Sequence, residues 1–133
     1  MFTQSQLDLF LKSGGKLITT YKDLPTQPVD MIIDAMYGMD TSQHNADWLP
    51  YAVSWANQNK APLLSIDPCM PETKSEVPDI KWCIAMSLPL IKSPKVGSLY
   101  LADLGIPRGV FKDVGIQYMS PFTDKFYIPL HNC

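Results

Sequence analysis

Three aspartates stand where the chain leaves a hydrophobic run: Asp34 after Met31-Ile32-Ile33, Asp67 after Leu63-Leu64-Ser65-Ile66, and Asp103 after Leu99-Tyr100-Leu101-Ala102. Open parallel sheets bind ligands outside the carboxyl ends of their strands. Three carboxylates gathered on that rim could orient ribose hydroxyls, hold a divalent ion or take a proton from a substrate. Aspartate also ends strands merely by accepting the next backbone amides, and sequence leaves both readings open. Gly38, four residues past Asp34, is the single glycine in a strand-to-helix loop where a phosphate could approach the backbone.

The rest of a catalytic apparatus is thin. There is no G-x-G-x-x-G, no glycine-rich loop ending in Gly-Lys-Ser or Gly-Lys-Thr, and no G-x-S-x-G elbow. Cys69 follows Asp67, but neither His44 nor His131 is placed to activate it, so an idle thiol is the better reading. No catalytic residue is assigned. The histidines lack a nearby second ligand, and Cys69, Cys83 and Cys133 form no C-x-x-C pair, so no metal site is expected and the thiols read as reduced. Lys92, Lys95, Arg108 and Lys112 are possible RNA phosphate contacts, although four scattered cations are usually ordinary solvated surface.

Composition bounds these possibilities. The 133 residues carry 11 basic and 13 acidic side chains, a formal charge of −2, without the concentrated basic face of a dedicated DNA-binding domain. Hydrophobic residues make up 46% and charged residues 18%, enough apolar material for a single core and too little charge for a disordered chain. No stretch approaches the ~18 apolar residues that span a bilayer, and the N-terminus lacks a secretion signal, so an intracellular protein without membrane contact is expected.

The elements that must position these residues follow from periodicity. Ser5 is a candidate N-cap for a short helix with Leu7, Phe10 and Leu11 at helical spacing, ended by Gly14 and Gly15. Residues 16–21 are β-prone, and residues 29–35 read as a strand buried on both faces. Trp48, Tyr51, Ala52, Trp55 and Ala56 mark the clearest helix, with Asp47 as its cap, Pro50 in its first turn and Ala61-Pro62 at its end. Its tryptophans are expected to favour the core over an interface. Residues 62–67 follow as a second buried strand, completing a parallel crossover. Further strands are expected over 82–87, 98–102 and, at an edge, 125–130. Pro107 would start a short helix with Val110, Phe111 and Val114 facing one way and Gly115 capping it.

The strand ending Asp34-Ala35, the block Trp55-Ala56-Asn57-Gln58-Asn59-Lys60-Ala61-Pro62-Leu63-Leu64-Ser65-Ile66-Asp67-Pro68, and Ala102-Asp103-Leu104-Gly105-Ile106-Pro107 resemble the YjeF N-terminal domain family. Within it, Lys22-Asp23-Leu24-Pro25, Ser120-Pro121-Phe122 and Ile128-Pro129-Leu130-His131 look like the branch found in enhancer of mRNA decapping scaffolds. The resemblance implies a Rossmann-like three-layer α/β/α sandwich with a mostly parallel sheet, here lacking the family's first strand and helix, so that residues 1–133 would be an N-terminally truncated domain. The ligand-pocket candidates are Asp34, Gly38, Ser65, Asp67 and Asp103.

The family's enzymatic branch epimerises hydrated nicotinamide dinucleotides with an aspartate, at the position of Asp67, and a lysine. Here Pro68-Cys69-Met70-Pro71 replaces that branch's glycine-ended loop, and Leu90 or Ile91 falls at the lysine position, with Lys92 beside it. The resemblance therefore implies a non-enzymatic homodimerisation module that supports mRNA decay and cytoplasmic P-body assembly, with no cofactor. Decapping factors and a DEAD-box helicase would be engaged through an LSm domain and an FDF motif absent from these residues. The alternative is residual nicotinamide dinucleotide binding, or an epimerase-like enzyme, on the Asp34/Asp67/Asp103 rim.

Overall fold

The computed structural model describes residues 2–36, 47–67, 80–86, 88 and 96–130. The first helix, α1 (Phe2–Lys12), runs through Ser5 instead of being capped by it, because nothing in Thr3-Gln4 breaks the helical turn. Its end is as expected. Gly15 N–H donates to Phe10 O at 3.0 Å and Gly14 N–H to Leu11 O at 3.1 Å, with Gly14 at φ 92°, a left-handed turn that glycine adopts without strain. Residues 16–21 form no strand. Thr20 instead turns its hydroxyl onto Lys22 N–H at 3.3 Å and caps a single 3-10 turn, Tyr21–Asp23. Side-chain capping of this kind competes directly with a sheet ladder.

Four parallel strands follow in chain order, β1 (Ile32–Asp34), β2 (Leu63–Ile66), β3 (Ile80–Met86) and β4 (Val96–Ala102), and β5 (Tyr127–Leu130) closes the sheet antiparallel to β4. Pro129, which has no N–H to give, lies in this edge strand opposite Tyr100. Between β1 and β2 runs α2 (Leu49–Asn59). Its N-cap is Trp48, and Asp47 supplies no cap: Pro50 in the first turn removes one of the amides that a cap would satisfy. Lys60, left-handed at φ 60°, ends the helix ahead of Pro62.

The core lies on one face of the sheet. Leu63, Cys83, Ala85, Leu99 and Leu101 are buried there beneath Ala56 of α2 and Phe122, with Ile32, Trp55, Tyr118, Ile128 and Leu130 packed around them. The short helix α3 (Arg108–Asp113) contributes only Phe111, stacked on Tyr118 at 4.1 Å; Val110 and Val114 are exposed, since a helix of six residues has one turn to set against the core. Trp48 and Tyr51 are likewise half exposed, Tyr51 stacking on Tyr21 with ring centroids 4.2 Å apart.

Alternation places Ile33, Leu64, Ile66, Trp82, Ile84, Met86, Tyr100 and Tyr127 on the opposite face, in register across the strands. Ile33 is 61% exposed, so β1 is not buried on both sides as its apolar run predicts. It is the edge of the described sheet, and no described helix covers its second face.

Candidate functional site

The carboxyl-terminal rim holds the three aspartates, each with a defined partner. Asp34 Oδ1 accepts Met36 N–H at 3.0 Å, and its Oδ2 accepts the hydroxyl of Ser65 at 2.8 Å. Ser65 is fully buried and lies directly across the β1–β2 ladder from Asp34, so the strand pairing brings these two candidates together. Such a hydroxyl needs an acceptor once it has left water, and the carboxylate is that acceptor.

Asp67 leaves β2 in a left-handed conformation, φ 48°, that turns it toward β3. Its N–H donates to Ile84 O at 2.8 Å and its Oδ1 accepts Met86 N–H at 3.1 Å, carrying the ladder one residue past the strand. Asp103 lies beyond β3, at the end of β4. Its N–H donates to Phe126 O at 2.8 Å and its Oδ1 accepts Gly105 N–H at 2.8 Å, with Gly105 at φ 65° completing the turn. All three carboxylates thus accept backbone amides, the turn chemistry that sequence sets beside ligand binding. Gly38 lies outside the described residues, as do Lys92, Lys95, Cys69, Leu90, Ile91, His44 and His131. Arg108 and Lys112 are exposed at positions i and i+4 of α3.

Beneath the rim, burial and then the negative charge of Asp67 push the Cys83 thiol from 9.0 up to about 11. A folded-state value above the unfolded one means that the folded chain binds more protons between them. Stability should therefore be unaffected by this group below pH 9 and fall as pH rises from about 9 to 11. Thermal melts across that window check it: Cys83→Ala should flatten the decline, and an unchanged slope would remove Cys83 as its cause.

Sequence reasoning missed a second concavity. A groove of about 510 Å³ lies between α2 and the preceding segment, lined by Tyr21, Lys22, Pro25, Tyr51, Trp55 and Asn59 among others. Trp55 Nε1–H donates to Pro25 O at 2.8 Å, Asn59 Oδ1 accepts Val29 N–H at 3.2 Å, and Asn59 Nδ2 donates to Gln27 O at 3.4 Å. These contacts and the Tyr21–Tyr51 stack pin residues 21–29 along α2. The one sequence signal for it is polar: Asn59 and Trp55 sit one turn apart, each able to hold the backbone of a proline-rich segment that cannot form its own ladder.

A family model described as "YjeF-related protein N-terminus" matches residues 2–89, about two-thirds of the chain. This chain belongs to the YjeF-related N-terminal family. The Rossmann-like α/β architecture anticipated for a YjeF-related domain is present, with five strands of which four are parallel. Among curated relatives, proteins named enhancer of mRNA-decapping protein 3 match 96% of the chain: that of Homo sapiens is 46% identical over 129 residues and that of Mus musculus 44% over 129. That of Drosophila melanogaster is 26% identical over 161 residues, again covering 96% of the chain. The YjeF-related chain spans about a quarter of the length of these relatives, 25% for the vertebrate proteins and 22% for the fly protein. No described helix is long and apolar enough to cross a membrane.

Proposed function

We propose that this YjeF-related domain is a non-enzymatic, self-associating module of an mRNA decapping activator. The observation that carries the reading is the 46% identity, over 96% of the chain, to proteins named for enhancing decapping. The aspartate rim supports it, since its carboxylates are engaged in closing turns and in holding Ser65. In this role the domain would pair with a second copy, in the cytoplasm and at P-bodies. Decapping factors and a DEAD-box helicase would be engaged by other parts of the longer protein, with RNA a weak partner of Arg108, Lys112, Lys92 and Lys95.

Size exclusion coupled to light scattering, over a tenfold concentration range, tests the pairing. The mass of two copies is expected. A single-copy mass throughout, together with failure of the intact protein to co-purify with decapping factors, would overturn the reading.

A further inference from the structure

Pro25-Thr26-Gln27-Pro28 is a P-x-x-P stretch, and it lies extended on the surface of the domain. Four of the five residues from Leu24 to Pro28 have backbones restricted toward the polyproline II region. Leu24 is at φ −59° and ψ 138°, the rings of Pro25 and Pro28 hold φ at about −65°, and Gln27 precedes a proline and so avoids the helical region. A polyproline II helix repeats every three residues, which places Pro25 and Pro28 on one ridge. Both are exposed, as are Thr26 and Gln27 between them. Lys22, also exposed, stands in the 3-10 turn three residues ahead of Pro25 and lines the same groove, so it sets a positive charge near the N-terminal end of that ridge.

The attachment to α2 is what fixes this stretch. Trp55 Nε1–H donates to Pro25 O at 2.8 Å, Asn59 Nδ2 donates to Gln27 O at 3.4 Å, and Asn59 Oδ1 accepts Val29 N–H at 3.2 Å. All three bonds use main-chain groups of the segment, and its prolines keep their contact with solvent. The groove of about 510 Å³ opens directly beside Pro25 and Thr26, so the segment stands off from α2 on that flank and a partner's side chains have room there. A free peptide of this sequence would lose its backbone freedom on binding. Here folding has already fixed it.

We propose that residues 22–28 form a preorganised docking segment for a proline-recognising domain of the SH3 type. Such a domain takes polyproline II chains into an aromatic-lined groove, and the Lys22 ammonium calls for an acidic pocket at one end of that groove. This surface is separate from self-association and adds a second kind of partner.

Calorimetric titration of the full chain against a set of purified SH3 domains that select a basic residue beside P-x-x-P tests it, with a synthetic peptide of residues 20–30 run in parallel. The full chain is expected to bind at least one such domain no more weakly than the peptide does. Pro25→Ala with Pro28→Ala should weaken that binding by about tenfold or more, Lys22→Glu should weaken it as well, and replacing the SH3 domain's groove tryptophan by alanine should abolish it. Circular dichroism and melting check that the variants stay folded. If the double proline variant does not, Lys22→Glu, which leaves the segment's backbone untouched, decides alone. Binding of the peptide but not of the folded chain would overturn the proposal, because α2 then withholds the face that the partner needs. So would binding of neither at millimolar concentration, binding that survives the groove substitution, or a Lys22→Glu chain that binds like the parent.

Discussion

Replacing Phe122 by alanine is expected to lower the stability of this domain by about 3–5 kcal/mol. Phe122 is 3% exposed and sits in a loop, yet it occupies the place that a helix side chain usually takes over the centre of a sheet, against Ala85, Leu99 and Leu101. Ser120 Oγ accepts its N–H at 3.4 Å and Tyr118, stacked on Phe111, packs beside it, so the loop has few ways to collapse into the space left behind. Against a total of about 5–15 kcal/mol for a domain of this kind, the loss is a large share. At about 4 °C per kcal/mol it lowers the melting temperature by about 12–20 °C. Urea titration reads it directly. Met119→Ala on the same loop, at a side chain 86% exposed, should stay within about 0.5 kcal/mol of the parent, and equal losses at the two positions would contradict the assigned core.

The second large effect is expected at Gly97, the second residue of β4. Its neighbours pair with β3 as Val96 with Ile80 and Ser98 with Trp82, and a Cβ at this position would fall onto the carbonyl oxygen of Lys81 and within 2.9 Å of that of Ile80. These are backbone atoms of the neighbouring strand and cannot rotate away. Gly97→Ala must separate the two strands at the start of their ladder, at a cost of about 1–3 kcal/mol, and Gly97→Val more. Gly109 gives the opposite sign: it lies inside α3 with nothing within 4 Å of an added Cβ, so Gly109→Ala should gain about 0.5–1 kcal/mol. Paired thermal melts check both, and a neutral Gly97→Ala would show that the strands separate more easily than this packing implies.

Most of the sheet is legible in the residues. The runs ending in Asp34, Asp67 and Asp103 and the periodicity of Trp55 and Ala56 reflect burial, which acts on every strand and helix alike. What misleads is local competition. Thr19-Thr20 reads as strand by propensity, but a hydroxyl that can cap a turn does so where no partner strand is at hand. The Met31-Ile32-Ile33 run reads as doubly buried because composition records that a side chain is apolar and not what lies over it; only the placement of α2 separates Ile32 from Ile33. The same holds at the rim. Sequence puts three carboxylates at strand ends but cannot say which donors reach them first, and the amides of Met36, Met86 and Gly105 do. The groove beside Trp55 depends on contacts 30 residues apart in the chain, for which no spacing rule exists.

The two margins of the sheet differ in what they offer to another strand. On the β5 side, Pro129 removes one backbone donor and its ring stands against a neighbour, within a strand of only four residues. On the β1 side the described strand is three residues long, with Met31 and Ile33 exposed beside it. A fibril lengthens only if every added subunit presents a fresh receptive edge as it consumes one. With a proline in its outermost strand, the β5 margin is the poorer template for a further strand, and a fibril built edge to edge from described strands has to extend through it.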